Sequence, residues 1–525
     1  MAVDGARAAS AGRGIAAAAA LIAAGNIASR IFGQIRESVT SGLFGATTSV
    51  DASAYALASR VPTTLYDFIV GGLVSAALVP VFSELAEGDK RELGDVAGTV
   101  FTAATLLMFA MATLGWLFAP QLGTLLTLTT DTPALRATTT SLIRWMLPAS
   151  VLMAGSGLLT GLLQAQRRFL LPAFATTVFN LGIIAGAWFF HRQLGVRSLA
   201  LGMVIGAFAQ VLFQLPGLHG TKLRPGLRLR RPAIRRIGLL YAPVVLGLSF
   251  ALVGTAVDAA LASGLQQGAA AIMRYATTLI QLSLGIISTA VSLAALPTLA
   301  RQGADDADLA TYRRTLSLSL QVVMLLILPA TAVLAALAQP IVVLLFQQGE
   351  FGAIDTDITT RALLFYLPSL VAAAIDQPLI FAFYARKNTL LPNLVNGAAI
   401  ATYLVVAFAT VSTLGVYGLI LANGMQWAIH AILMIWFAHR HLDALRGQGL
   451  VSAFVKGSIA SIVAGLAGYA VLRLLGGSAT GKWDALGIIA AGGLTIGIVY
   501  LLAARMARLP ALELLTRGLR QRIRR

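Results

Sequence analysis

Asn26, Arg30, Gly33 and Glu37 follow one another at steps of four, three and four, which lines them along one face of a helix. Arg36 stands beside Glu37. Asp51, Tyr55, Ser59, Pro62 and Tyr66 form a second stripe, with Arg60 and Asp67 next to it. Arg274, Thr278, Gln281, Gly285 and Ser288 form a third. Arginine presents a rigid fork of donors that matches phosphate or carboxylate. Here Arg30, Arg36, Arg60 and Arg274 outnumber the acids Glu37 and Asp51. That balance suits recognition of an anionic head group; a pathway for cations needs the reverse. Plainer roles stay open for the same residues. Arg36 and Glu37 can be interfacial side chains reaching headgroups, Arg30 and Asp51 a structural ion pair, and Arg274 an interfacial residue. Asp258 is a candidate sodium or proton site. Asp376 is isolated in the sequence and precedes Gln377-Pro378, where a helix break exposes carbonyls. Arg144, near Trp145 and Pro148, reads as structural.

These charges sit in a chain of 525 residues that is 58% hydrophobic and 11% charged, with a mean hydropathy of +0.82. Such a composition belongs to a polytopic membrane protein almost throughout. An ionisable side chain in the bilayer costs about 2.5–3.5 kcal/mol on insertion scales, so three polar stripes on apolar helices argue for a hydrated internal cavity. With no cysteine in the sequence, thiol catalysis, cysteine-ligated metals and disulfides are excluded. The five histidines, His191, His219, His430, His439 and His441, fall mostly at span ends and form no metal-ligand pattern. No cofactor is expected.

Fourteen spans are expected, near residues 14–34, 50–83, 96–118, 137–165, 172–191, 198–217, 238–263, 270–300, 314–337, 359–384, 390–410, 415–437, 452–473 and 485–505. The first is read as a retained span rather than a signal peptide, because it runs on into charged, motif-bearing sequence. With the amino terminus inside, alternate links collect Lys90, Arg91, Arg167, Arg168, the basic run from Lys222 to Arg236, Arg386, Lys387, Arg440 and Lys456. The opposite links hold few cations, among them Arg136, Arg192, Arg197 and Lys482. The bias places both termini in the cytoplasm and accounts for the net charge of +18 without nucleic acid. The basic link also suits anionic phospholipid or simply anchors topology.

The sequence repeats itself. Pro172 of one Leu-Leu-Pro and Pro392 of another lie 220 positions apart, and the stretch Pro120 to Pro148 returns as Pro340 to Pro368. Val74-Ser75 with Pro80 returns as Val291-Ser292 with Pro297, at 217. Each period holds six spans, and an even number gives both copies one orientation. The expected fold is all-α: two parallel six-helix lobes related by a pseudo-two-fold axis, plus two extra carboxy-terminal helices. The N-lobe covers 1–218, a basic cytoplasmic link 219–237, the C-lobe 238–440, and the last two spans with the basic tail 441–525.

At these residues the chain resembles the MurJ (MviN) lipid II flippase family, a branch of the multidrug/oligosaccharidyl-lipid/polysaccharide exporter superfamily. The carrying segments are SRIFGQIRESVTSGLFG at 29–45, Asp51, VGGLVSAALVPVFSEL at 70–85, QAQRRFLLPAF at 164–174 and FQQGEFGAIDT at 346–356. The resemblance runs from the first span to about the twelfth, with two further spans as in that family. It implies alternating access between lobes, carrying a polyprenyl-pyrophosphate-linked sugar-peptide from inner to outer leaflet, with the added spans supplying a groove for the lipid tail. The family's cavity charges match Arg30, Arg36, Glu37, Asp51 and Arg60. Its further second-span arginine falls on Tyr66, and its span-eight arginine and acid fall on Thr278 and Gln281. Arg274, one turn before Thr278, is the candidate replacement. The acid of the family's span-seven sodium site matches Asp258, while its polar partners on span eleven fall on Tyr403 and Ala407, with Asn393 and Asn396 nearby.

The expected function is therefore flipping of lipid II, by a monomer of the bacterial inner membrane, coupled to sodium or protons and without enzymatic chemistry. The alternatives are export of another polyprenyl-linked glycan, cation-coupled drug export, a membrane enzyme on lipid-linked sugars, and a non-transporting lipid-binding homologue. The arginine excess argues against drug export. Links of about 20 residues argue against a catalytic domain.

Overall fold

The computed structural model describes the backbone of residues 2–67, 70, 73–88, 90–130, 132–303, 309–386, 388–442 and 447–512. Every regular element among them is a helix. The chain forms two compact units, Met1–Ala271 and Ile272–Arg525.

The first unit holds α1 (Ala2–Phe44), α2 (Asp51–Ala58), α3 (Arg60–Tyr66), α4 (Val79–Glu87), α5 (Lys90–Leu117), α6 (Ala119–Leu126), α7 (Pro133–Ala165), α8 (Leu170–Leu194), α9 (Arg197–Gln214) and α10 (Pro232–Ser263). The helix α11 (Ala269–Leu284) begins at its end and runs into the second unit. There follow α12 (Ala290–Gln302), α13 (Leu309–Ala336), α14 (Ala338–Phe346), α15 (Ala353–Ala385), α16 (Leu390–Leu414), α17 (Val416–Leu442), α18 (Leu450–Leu474) and α19 (Lys482–Met506). Eleven helices among the described residues are long and apolar enough to cross a membrane. This is a multi-pass membrane protein. The other three expected spans fall on α1, on the broken run from α2 to α4, and on α10. Side chains such as Phe109, Trp188 and Phe189 are exposed, as apolar groups facing hydrocarbon should be.

The repeat is visible in the turns. Gly195 ends α8 at φ 55°, ψ −136°, and Gly415, 220 residues on, ends α16 at φ 56°, ψ −131°. Positive φ is open to glycine at little steric cost, so both copies hold one there. The caps Phe169 and Thr389, again 220 apart, have ψ −20° in both cases. Each unit also carries a five-residue π-helical turn, Val74–Leu78 and Gly285–Thr289. These do not coincide in the aligned repeat: the second falls just ahead of Val291, the residue matched to Val74. A wide turn of this kind frees backbone groups and is common at functional sites.

Packing in the first unit rests on small residues. Gly182 and Gly186 of α8 meet Gly206 and Gly202 of α9; a Cβ on Gly182 would lie 2.2 Å from the Gly206 Cα, and one on Gly186 2.3 Å from the Gly202 Cα. In lipid, where apolar burial between helices gains little, such close backbone approach supplies the contact. Gly206→Val is expected to force α8 and α9 apart, at a cost of at least about 1–3 kcal/mol. A lowered melting temperature in detergent checks this, with Gly155→Ala as control, since a Cβ there meets nothing within 4 Å. An unchanged melting temperature in Gly206→Val refutes the contact.

The segment before α10 is strapped to α5. The Arg224 amide donates to the Gly94 carbonyl, and a Cβ on Gly94 or Gly98 would strike the carbonyls of Lys222 or Arg224. Asp95 takes Arg228 and Arg231 at 2.9 Å each and Arg224 at 3.6 Å. In the second unit, α18 and α19 pack on α13 and α14 through Leu325, Leu337, Ala464 and Ile496. The Tyr500 hydroxyl donates to the Leu325 carbonyl at 2.9 Å.

Candidate functional site

In the first unit the stripe on α1 is anchored against α8. Glu37 is 0% exposed, and Arg36 donates to its Oε1 from Nε at 3.1 Å and from Nη2 at 2.5 Å. Arg36 Nη1 donates to Asn180 Oδ1 at 2.9 Å. Asn180 Nδ2 donates in turn to the carbonyls of Ser29 and Thr176, at 3.2 and 3.1 Å. The arginine is thus fixed by a buried carboxylate and a buried amide on facing helices. Sequence reading missed Asn180; its signal is an asparagine in the middle of the apolar stretch from Val178 to Gly182. It also passed over Gln34, 6% exposed, whose amide has no hydrogen-bond partner among the described residues. Arg30 is half-buried and Asn26 is exposed.

The second-span stripe meets α10. Arg60 Nη1 donates to Asp258 Oδ2 at 2.7 Å and to the Thr255 carbonyl at 3.2 Å. Asp258, an isolated acid in the sequence, is therefore one half of an ion pair across α3 and α10. Both contacts use Nη1, so the carboxylate occupies the Nη1 end of the fork and neutralises the charge that an oxyanion would need. The two side chains are 24% and 20% exposed. Asp51 is half-buried at the start of α2. Tyr66 packs on α7 at Gly157, where a Cβ would lie 3.2 Å from its ring.

In the second unit, Arg274 and Thr278 are half-buried and Gln281 is exposed. The Thr278 hydroxyl donates to the Arg274 carbonyl at 2.9 Å. Tyr275, next to Arg274, is fully buried against Phe346 and Phe351, with centroids 5.3 and 5.7 Å away. The segment FQQGEFGAIDT thus contributes core aromatics that fix α11. Arg144, in the first unit, stacks over the Trp116 ring at 5.2 Å, which fits a structural role.

Asp376 departs from its sequence reading. The helix does not break at Gln377-Pro378; α15 continues to Ala385. Pro378 has no N–H for the Ala374 carbonyl, and the Ser288 hydroxyl of the π-helical turn donates to that carbonyl instead, at 2.6 Å. Nor is Asp376 isolated: His430 Nδ1 on α17 lies 2.7 Å from its Oδ2. His430 is mid-helix, unlike the histidines at span ends. Tyr403 and Ala407 are buried, whereas Asn393 and Asn396 line a cavity of about 210 Å³. Among the described residues no three of His, Cys, Asp or Glu come together as a metal site.

The described candidate residues of the first unit thus hold two arginine–carboxylate pairs, Arg36 with Glu37 and Arg60 with Asp258. The family model described as lipid II flippase MurJ matches residues 40–486. This chain belongs to the MurJ family. The matched range includes Asp51, Arg60, Asp258, Arg274, Asp376 and His430, while Arg30, Arg36 and Glu37 lie just before it. The lipid II flippase MurJ of Burkholderia cenocepacia is 30% identical over 422 residues, covering 77% of this chain and 80% of the relative. A probable lipid II flippase MurJ of Vibrio cholerae is 27% identical, with 79% and 81% covered. Among solved structures, lipid II flippase MurJ in an inward closed conformation superimposes with a TM-score of 0.77 at 20% identity, covering 92% of this chain and 99% of that one. A point mutant of the Vibrio cholerae MATE transporter VcmN gives 0.59 at 16% identity, with 83% and 99% covered. At these identities the likeness is one of fold alone.

Proposed function

We propose that this protein moves lipid II, a polyprenyl-pyrophosphate-linked sugar-peptide, from the inner to the outer leaflet of the bacterial cytoplasmic membrane. The single observation that carries the reading is the family match over 40–486. The intramembrane arginines support it, since they supply donors for a pyrophosphate where lipid offers none. Lobes 1–218 and 238–440 rock about the basic link at 219–237, and spans thirteen and fourteen guide the lipid tail. With fourteen spans both termini share one side, and the excess of Lys and Arg in alternate links makes that side the cytoplasm. The protein works as a monomer among phospholipids, breaks no bond of its substrate, and draws on a sodium or proton gradient. Arg30, Arg36, Arg60 and Arg274 bind the anionic head group; Glu37, Asp51 and Asp258 hold arginines between turnovers.

Depletion of the protein in its own host, followed by assay of lipid II on the outer face, tests the substrate. Exposure is expected to fall as the protein is lost; unchanged exposure refutes it. Restoring the gene with Arg30→Ala is expected to leave exposure low, and full recovery removes Arg30 from the binding set.

A further inference from the structure

The flippase reading leaves one ionisable pair unused. Asp376 on α15 is 0% exposed and His430 on α17 only 6%, with His430 Nδ1 2.7 Å from Asp376 Oδ2. Neither Asp376 oxygen nor His430 Nδ1 has a partner of hydrogen-bond geometry among the described residues, so the 2.7 Å contact is a close charged pair that is not aligned as a hydrogen bond. His430 forms part of the wall of the cavity of about 210 Å³, together with Tyr384, Asn393, Asn396 and Gln426. Amides, an imidazole and a hydroxyl give water several partners there, and the volume holds more than one molecule. Asp376 lies behind the histidine and does not line the cavity.

The repeat shows that packing alone does not require this pair. The residues 220 positions earlier are Ser156 on α7 and Gln210 on α9. There the two helices are joined by neutral groups, though not through Gln210 itself: Gln214, one turn further along α9, donates from Nε2 to Ser156 Oγ at 2.5 Å and to the Ser156 carbonyl at 3.3 Å. A hydroxyl–amide bridge therefore serves the same helix pair in the first unit. An aspartate and a histidine in the second unit add the one thing that bridge lacks, a proton that can be gained or lost.

Other titratable groups around Asp376 do not replace His430. On α15 itself Tyr384 shares the cavity, and Arg386 caps the helix. From α13, the Tyr312 hydroxyl donates to the Ala382 carbonyl at 2.7 Å, and Arg313 and Arg314 follow it in the first turns. The π-helical turn contributes Ser288, α16 the neutral Asn393 and Asn396 and the buried phenol of Tyr403, and α12 only Arg301 in its last turn. The helix α14 has no ionisable residue.

We propose that Asp376 and His430 form a proton-binding site opening on this cavity, and that it couples transport to the proton gradient. With one proton on either member, the pair is neutral overall, the least costly state away from water. A second proton from cavity water makes it protonated aspartic acid beside imidazolium, net +1. Loss of a proton to the cavity makes it carboxylate beside neutral imidazole, net −1. Either step changes the charge between α15 and α17, and so biases whichever state of the lobes hydrates the cavity better. This coupling role rests on the flippase reading; the existence of the site does not.

Two measurements on the full-length protein separate these points. In lipid nanodiscs, infrared difference spectra across about pH 4 to about pH 9, spanning the aspartate and histidine ranges, should show a protonated-carboxyl band that titrates. Asp376→Asn should abolish it. His430→Gln should move its midpoint upward, because a neutral amide no longer favours the carboxylate. Should the asparagine variant misfold, Asp376→Glu should keep a titrating band at a shifted frequency. A spectrum identical in the wild type and a folded Asp376→Asn overturns the site, whatever the transport result. In proteoliposomes containing lipid II, an imposed pH gradient should accelerate exposure by the wild type and not by Asp376→Asn. An equal response in both, or a response to sodium alone, overturns the coupling. A wild type that moves no lipid II under any gradient overturns the flippase reading instead, and the infrared band still decides the site.

Discussion

Glu37→Ala is expected to be the most destabilising single change on α1, by about 3–5 kcal/mol, because it leaves Arg36 charged and without its carboxylate in a membrane interior. Glu37 is fully buried and takes both contacts of the Arg36 edge. A full-length variant should accumulate poorly and melt lower in detergent. The informative partner is Arg36→Met with Glu37→Leu, which removes the whole ion pair and replaces it with apolar side chains. Such replacements of buried pairs are often neutral or stabilising. Recovery here should be incomplete, since Asn180 Oδ1 loses the Arg36 donor and an orphaned buried acceptor costs about 1–3 kcal/mol. The double variant should therefore fold yet fail to expose lipid II. If it restores transport as well as stability, Arg36 is a packing residue only. If Glu37→Ala melts like the wild type, the pair is hydrated and the site at this end of α1 is open to water.

Periodicity explains how much of this is legible in the sequence. Arg30, Gly33 and Glu37, or Arg274, Thr278 and Gln281, share a helix face whatever surrounds them, so stripes can be read from spacing. The 220-residue offset is equally local in origin: Gly195 and Gly415 sit in the same left-handed turn, and a glycine marks such a turn in any sequence. Partnerships between helices have no such signature. Arg60 is 198 residues from Asp258 and Arg36 is 144 from Asn180; nothing in spacing links them. Asp258 and Asp376 look isolated in the sequence for that reason. Proline misleads in a different way. Pro378 does free a carbonyl, but a serine on another helix takes it up, and only tertiary structure can tell a satisfied helix from a broken one. The glycines of α8 and α9 carry a readable signal, since Gly182 and Gly186, like Gly202 and Gly206, have the four-residue spacing of close helix contacts.

The second large effect is expected at Asp258, and its direction separates a binding residue from a competing one. Arg60 is held by Asp258 at 2.7 Å, and the same guanidinium is proposed to take the pyrophosphate. The carboxylate and the substrate then compete for one cation. Arg60→Ala removes the donor, so binding of a pyrophosphate-bearing lipid should weaken at least about tenfold, the equivalent of about 1.4 kcal/mol. Asp258→Asn should do the opposite. It removes the competing charge, keeps the shape, and should tighten binding several-fold while slowing turnover, because nothing then pulls the arginine back from its anion. Tight binding in both orientations shifts no equilibrium; only a difference between states does. Binding to the purified protein and exposure rate in proteoliposomes should therefore move in opposite directions for Asp258→Asn and fall together for Arg60→Ala. Equal loss of binding in both variants would make Asp258 a support for Arg60 rather than its competitor, and would leave release of the head group to another acid in the same unit.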